Sequence, residues 1–107
     1  MSVKARASRQ DPKLKQIVEV LKTYATRHPN ADIEAYRFNS VSVRIRIVDP
    51  AFEGKSRSDR EEEIWTLLDQ LPDEVASEIS LLLLFTPKEA KESFASEEFD
   101  DPIPSKL

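Results

Sequence analysis

The sequence predicts a two-layer α/β sandwich of order helix, strand, strand, helix, short helix, strand, with a three-stranded mixed sheet carrying its helices on one face. Three observations predict it. Apolar residues recur at spacings of three and four over residues 14–25, the period of a helix with one buried stripe. Between residues 33 and 48 the period changes to two, that of strands buried on one face. A second helical stripe over 64–71 is followed by an apolar run at 79–86, which reads as a strand buried on both faces. With 107 residues and 39% hydrophobic content, the chain can build one core and is short for two.

Residues 1–10 carry Lys4, Arg6 and Arg9 among small polar residues, and without an apolar period they are expected as a flexible basic arm. Asp11 before Pro12 is an N-cap and first-turn pair, because the carboxylate accepts free amide protons and proline has none to lose. Leu14, Ile17, Val18, Leu21, Tyr24 and Ala25 form the stripe of the first helix, and His28-Pro29 closes it. In the stretch 41–48, Val41, Val43, Ile45 and Ile47 point one way and Ser42, Arg44 and Arg46 the other. A tight turn at Asn39-Ser40 would join residues 33–38 and 41–48 as an antiparallel hairpin.

Gly54, the only glycine, centres a basic loop over 52–59 and suits a sharp turn. Ser58 with Glu61 reads as the capping box of a second helix whose buried face is Ile64, Trp65, Leu67, Leu68 and Leu71. That helix stops before Pro72, residues 72–77 add a turn, and Pro87 ends the last strand, which could lie parallel to the hairpin through the helical crossover. Residues 88–94 read as a short helix. The acidic, proline-containing segment 96–107 is expected to be disordered, which leaves 11–95 as the folded domain.

The net charge of −4 and 34% charged content describe an acidic, solvated surface rather than one that wraps nucleic acid with a whole face. With no cysteine, thiolate metal sites, cysteine nucleophiles and disulfide-stapled folds are excluded together. The longest apolar run, 81–85, cannot span a bilayer, and the first residues lack the apolar core of a signal peptide. No membrane contact and a cytoplasmic location are therefore expected.

The stretch 43–86 resembles the BolA family of small adaptor and regulatory proteins. A strand is followed by Phe52-Glu53-Gly54-Lys55, by Arg60 eight residues after the phenylalanine, and by an amphipathic helix and an apolar strand ending at Thr86-Pro87. The resemblance implies that family's fold, which is related to the KH type II topology, and an adaptor role in which a monothiol glutaredoxin is a partner. Some members bind DNA near this region. The family's cluster-ligand histidine, which follows the arginine, is here Glu61, and the loop between the first two strands holds no cysteine or histidine. A carboxylate is a poor donor to an iron–sulfur cluster, so cluster chemistry is not carried over and no cofactor is expected.

Lys55, Arg57 and Arg60, with Arg44 and Arg46 on the strand's outward face, form a candidate basic patch for phosphate contacts, although Glu61-Glu62-Glu63 follow at once. The candidate contact surface as a whole is Phe52, Gly54, Lys55, Arg57, Arg60 and Glu61 with Arg44 and Arg46. The carboxylates at Asp59, Glu61, Glu62 and Glu63 suit the first turn of a helix without any catalytic role. His28 has no sequence neighbour of a suitable type to make it a base or ligand, and Trp65 on the apolar stripe reads as core. At Gln70-Leu71-Pro72-Asp73 the Gly-x-x-Gly loop of KH-type RNA binding is missing. Residues 99–103 are the one part of the tail that could dock as a linear peptide.

The expectation is thus a non-enzymatic adaptor working through protein contacts at 52–61. A nucleic-acid-binding regulator on the same basic residues and a subunit assembling through a sheet edge are the alternatives.

Overall fold

The structure, a computed structural model, describes residues 2–6 and 11–103. The expected order is present from residue 12 to 85: α1 (Pro12–Arg27), β2 (Asp32–Asn39), β3 (Ser42–Val48), α2 (Arg57–Leu68), α3 (Asp73–Ala76) and β4 (Ile79–Phe85). It is preceded by a strand, β1 (Ser2–Arg6), and followed by α4 (Pro87–Glu92) and α5 (Phe94–Asp100). The sheet order is β1-β2-β3-β4. β2 and β3 form the antiparallel hairpin, with Ala35 opposite Ile45 and Tyr36 opposite Arg44. β4 runs parallel to β3, and β1 runs parallel to β2. Both parallel pairs are joined through helices, as parallel neighbours require.

Alternation along β3 organises the interior. Val43, Ile45 and Ile47 are fully buried with Ile33 and Ala35 of β2, under Leu14, Ile17 and Leu21 of α1 and Ile64 and Leu68 of α2. Phe52 closes the same core from the loop after β3. Trp65 and Leu67 pack against it while partly exposed. Asp11 caps α1, its side chain accepting from Leu14 N at 3.1 Å, and it also holds Arg37 of β2. Arg37 and Lys13 both reach Glu78, at 2.8 and 2.7 Å, which ties the start of α1 to the turn before β4.

Several expectations are corrected. Residues 2–6 are a strand rather than a flexible arm; Val3 and Ala5 do alternate with Ser2, Lys4 and Arg6, but two small apolar residues make too short a run to stand out, and the order comes from pairing along β2 and packing of Val3 on the core. Residues 7–10 and 104–107 lie outside the described residues. The hairpin turn falls at Ser40-Val41, where Asn39 Oδ1 accepts from Val41 N at 2.9 Å. Val41 is therefore a turn residue rather than part of the inward set, and it is 55% exposed. The cap of α2 is Ser56, accepting from Asp59 N, so Ser58 and Glu61 lie within the helix. Residues 79–86 are not buried on both faces: β4 lies at an edge of the sheet and only Leu84 on it is buried.

The largest departure is the acidic tail. Residues 94–100 form α5, capped by Ser93, and Phe99 is fully buried. Phe99 meets Tyr36 edge-on at 4.8 Å between ring centroids. Since Tyr36 alternates with Ala35, and Arg44 and Arg46 with Ile45, α5 lies on the sheet face opposite the main core. The helices therefore do not all share one face.

If α5 is a locally detachable element, truncating its anchor undocks it without unfolding the sheet. Phe99→Ala is expected to cost less than the roughly 3–5 kcal/mol of a Phe→Ala change in a closed core. Amide exchange in α5 should accelerate while β3 stays protected. Equal acceleration in β3 would show that α5 belongs to the global unit.

Candidate functional site

Phe52-Glu53-Gly54-Lys55 spells a turn. Glu53 has φ −57° and ψ 130°, Gly54 has φ 80°, and Lys55 N donates to Phe52 O at 3.0 Å. These are the signatures of a type II turn, whose third position needs positive φ and so favours glycine. Phe52 faces the core from this turn. Arg60, eight residues on, is almost buried: its guanidinium lies 5.5 Å from the Phe52 ring and donates to Lys55 O, to Leu84 O and, through both terminal nitrogens, to Glu89. Arg60 is thus a lock between the loop, β4 and α4.

The proposed basic patch is not brought together. Arg60 faces inward, while Arg44 and Arg46 lie under α5 on the far side of the sheet. Arg44 pairs with Glu98 at 2.6 Å and stacks on Phe38, its guanidinium carbon 3.5 Å from the ring centroid. Arg46 pairs with Asp100 at 2.8 Å and Glu34 at 3.3 Å and donates to Ser96 Oγ at 2.9 Å. Lys55 is exposed and bridged to Glu63 at 3.1 Å. Arg57 and Glu61 are exposed on the outer turn of α2, and Arg57 has no hydrogen bond or ion pair among the described residues.

What the structure places beside Arg57 is the open edge of β4. Phe85 O accepts from Asp49 N on the β3 side, whereas Leu84 O is reached by Arg60 from outside the sheet. Backbone polar groups alternate in direction along a strand, so the N–H and C=O of Leu82 also face outward. That edge forms the floor of a groove of about 310 Å³, walled by Arg57 and Glu61 on one side and by Ser93 and Ala95 on the other, with Leu81 and Leu83 within it. A second depression of about 460 Å³ shares Arg57, Leu84, Phe85 and Ser93 and extends to Lys55 and Glu92. Phe94 stands between Ser93 and Ala95 and is 86% exposed. The groove thus offers outward backbone groups of Leu82, leucine side chains and a guanidinium without a partner among the described residues.

Sequence reasoning missed Leu81, Leu83, Ser93 and Ala95, because an apolar run does not reveal which strand ends at an edge. It also left His28 without a partner. His28 stacks on Tyr24 at 4.0 Å between ring centroids, and its Nδ1 lies 3.1 Å from Asp49 Oδ2, with Glu63 4.0 Å from Nε2. Asp49 is buried and also accepts from Tyr24 Oη at 2.5 Å and Ala51 N at 2.9 Å. Burial and that bond to Asp49 hold the Tyr24 hydroxyl far above the usual phenol range. Two hydrogen bonds, from Tyr24 Oη and Ala51 N, satisfy the buried carboxylate, His28 lies against it, and the cluster fastens the end of α1 to the end of β3. Among the described residues, no group of three or more His, Asp or Glu is placed to hold a metal ion, and no helix is long and apolar enough to cross a membrane.

Hydrogen bonds from Arg60 and from Thr86 N lower Glu89 from 4.5 to about 2. A carboxylate whose folded value lies below its unfolded one stabilises the fold fully above the unfolded value, and that contribution fades as pH falls from 4.5 towards about 2. The Glu89 side chain is 44% exposed, so solvent screening keeps the effect small. Glu89→Gln, which can retain the capping role, is expected to lower the urea midpoint at neutral pH, with the gap closing as the solution is acidified through that window. A gap independent of pH would remove the ion pair as its cause. No protein-family model matches the chain, and no curated protein or solved structure matches it either; the role of the groove is read from its own geometry.

Proposed function

We propose that the protein is a non-enzymatic adaptor of BolA-like type that binds a partner protein by accepting an extended segment along the free edge of β4. The observation that carries this reading is the open edge set in a walled groove. Strand addition uses main-chain hydrogen bonds for affinity and pockets at alternate side chains for specificity. Leu82 offers its outward N–H and C=O, Leu81 and Leu83 face the apolar side chains of the guest, and Arg57 faces a carboxylate on it. Arg60 occupies Leu84 O, so an added strand stops there, which fixes its register.

The helix-strand-strand-helix-helix-strand order, with an antiparallel hairpin followed by a parallel third strand, supports the BolA-like reading. So do Phe52, Gly54 and Arg60, which occupy the positions that carried the resemblance. With Glu61 in place of the family's histidine, the adaptor works through surface contact without iron–sulfur ligation. Cytoplasmic residence fits this reading. A monothiol glutaredoxin is the partner class the resemblance implies.

The test is selection from a random peptide library on the immobilised full chain, with a purified monothiol glutaredoxin as a second probe. Selected peptides are expected to alternate apolar residues and to carry an acidic residue. Arg57→Glu and Leu83→Lys should each weaken binding by tenfold or more, about 1.4 kcal/mol, and Leu82 N–H should gain exchange protection in the complex. Peptides indifferent to both substitutions, or a selection that returns none together with a glutaredoxin that does not bind, would remove the edge as the site.

A further inference from the structure

The second face of the sheet carries a surface that the adaptor reading does not use. β2 and β3 are the two central strands, and their outward side chains include Tyr36, Phe38, Arg44 and Arg46. Arg44 and Arg46 are only 15% and 14% exposed, beneath an acidic helix from the end of the same chain. In that helix, Glu98 sits on Arg44, Asp100 on Arg46, and Phe99 lies between Tyr36 and the Arg46 guanidinium, 4.6 Å from it. The occupant thus presents anion, aromatic ring, anion in three successive residues.

We propose that this face is a binding surface for single-stranded nucleic acid and that α5 is its built-in competitor. A single strand presents the same alternation, phosphates flanking a flat base. Arginines two residues apart on one strand face are separated by about 6.7 Å, close to the spacing of consecutive phosphates in an extended single strand. Guanidinium groups suit phosphate as well as carboxylate. Bases stack on aromatic side chains of an open four-stranded sheet, the arrangement by which such sheets read single-stranded RNA. Tyr36 and Phe38 supply those rings, and the base takes the place of Phe99.

The restraint on α5 is of a displaceable kind. Asp100 is 59% and Glu98 34% exposed in their pairs, so water screens the ionic part, and Phe99 is the single large side chain of α5 that is buried. The chain entering α5 bends at Ser93, whose backbone is extended between two helices, so the helix can lift without moving β4. Arg57 and the backbone of β4 take no part in the exchange, although Ser93 and Ala95 belong both to the wall of the adaptor groove and to the start of α5.

The experiment is fluorescence polarisation of a labelled mixed-sequence 12-nucleotide single-stranded RNA, and of the matching DNA, with the full chain and with Glu98→Gln/Asp100→Asn, which keeps Phe99 but loosens the clasp. The loosened variant is expected to bind at least tenfold more tightly than the unaltered chain. Its affinity should fall with salt at a slope of about −1.4, for two phosphates on a single strand. Adding Arg44→Gln/Arg46→Gln should abolish binding, and Arg44→Lys/Arg46→Lys should retain much of it. Absence of binding by both proteins, or binding that survives Arg44→Gln/Arg46→Gln, overturns the proposal. So does a labelled peptide of residues 94–103 binding the loosened variant where neither oligonucleotide does, which would assign the face to acidic protein segments instead.

Discussion

Everything in this structure depends on the alternation of β3. Its even-spaced valine and isoleucines must be covered by helices, and Arg44 and Arg46 between them leave a charged second face on a strand with neighbours on both sides. Burying an unpaired guanidinium is expensive, whereas one that is paired and stacked is tolerated. The chain answers on the first face with α1 and α2 and on the second with α5, whose carboxylates neutralise the same two arginines. The position of the acidic tail is thus a consequence of the strand's own pattern.

The first face was legible in the sequence because two periodicities agreed there. Residues 14–25 and 64–71 repeat at helical spacing, and 43–47 alternates, so helix stripe and strand face had only each other to bury against. The second face was not legible. Phe99 in an acidic segment gives no period, and nothing local announces that Glu98 and Asp100 lie opposite arginines more than 50 positions earlier. The same limit hid the Asp49–His28–Tyr24 cluster, whose partners are at least 21 positions apart between helix and loop. It also hid β1, whose five residues acquire order from pairing with β2 and from packing on the core. At the candidate site, Phe52, Gly54 and Arg60 were found by motif, but motif could not separate structural residues from contact residues. Phe52 and Arg60 build the loop, whereas Arg57 stays exposed beside the β4 edge.

Arg60 shows why that division follows from geometry. A strand edge with unpaired groups invites indiscriminate pairing, and natural sheets limit it by short edges, charges or covering loops. Here Arg60 covers Leu84 O from outside, Glu89 holds the guanidinium in place, and Arg57 places a charge beside the stretch that stays open. Both ends of the edge are thereby defined, since the turn before β4 is fixed by Glu78 with Lys13 and Arg37. A short edge defined in this way limits indiscriminate pairing.

The two surfaces meet in the segment 93–95. Ser93 and Ala95 wall the β4 groove, and Phe94 between them is exposed, yet the same residues begin the helix that covers Arg44 and Arg46. Lifting α5 would remove one wall of the groove, and a guest seated against that wall would hold α5 down. Two ligands that require opposite positions of one element bind with negative coupling, and the coupling is reciprocal: each weakens the other by the same factor. Occupation of the strand edge by a protein and of the arginine face by a nucleic acid would therefore be alternatives, selected by one seven-residue helix.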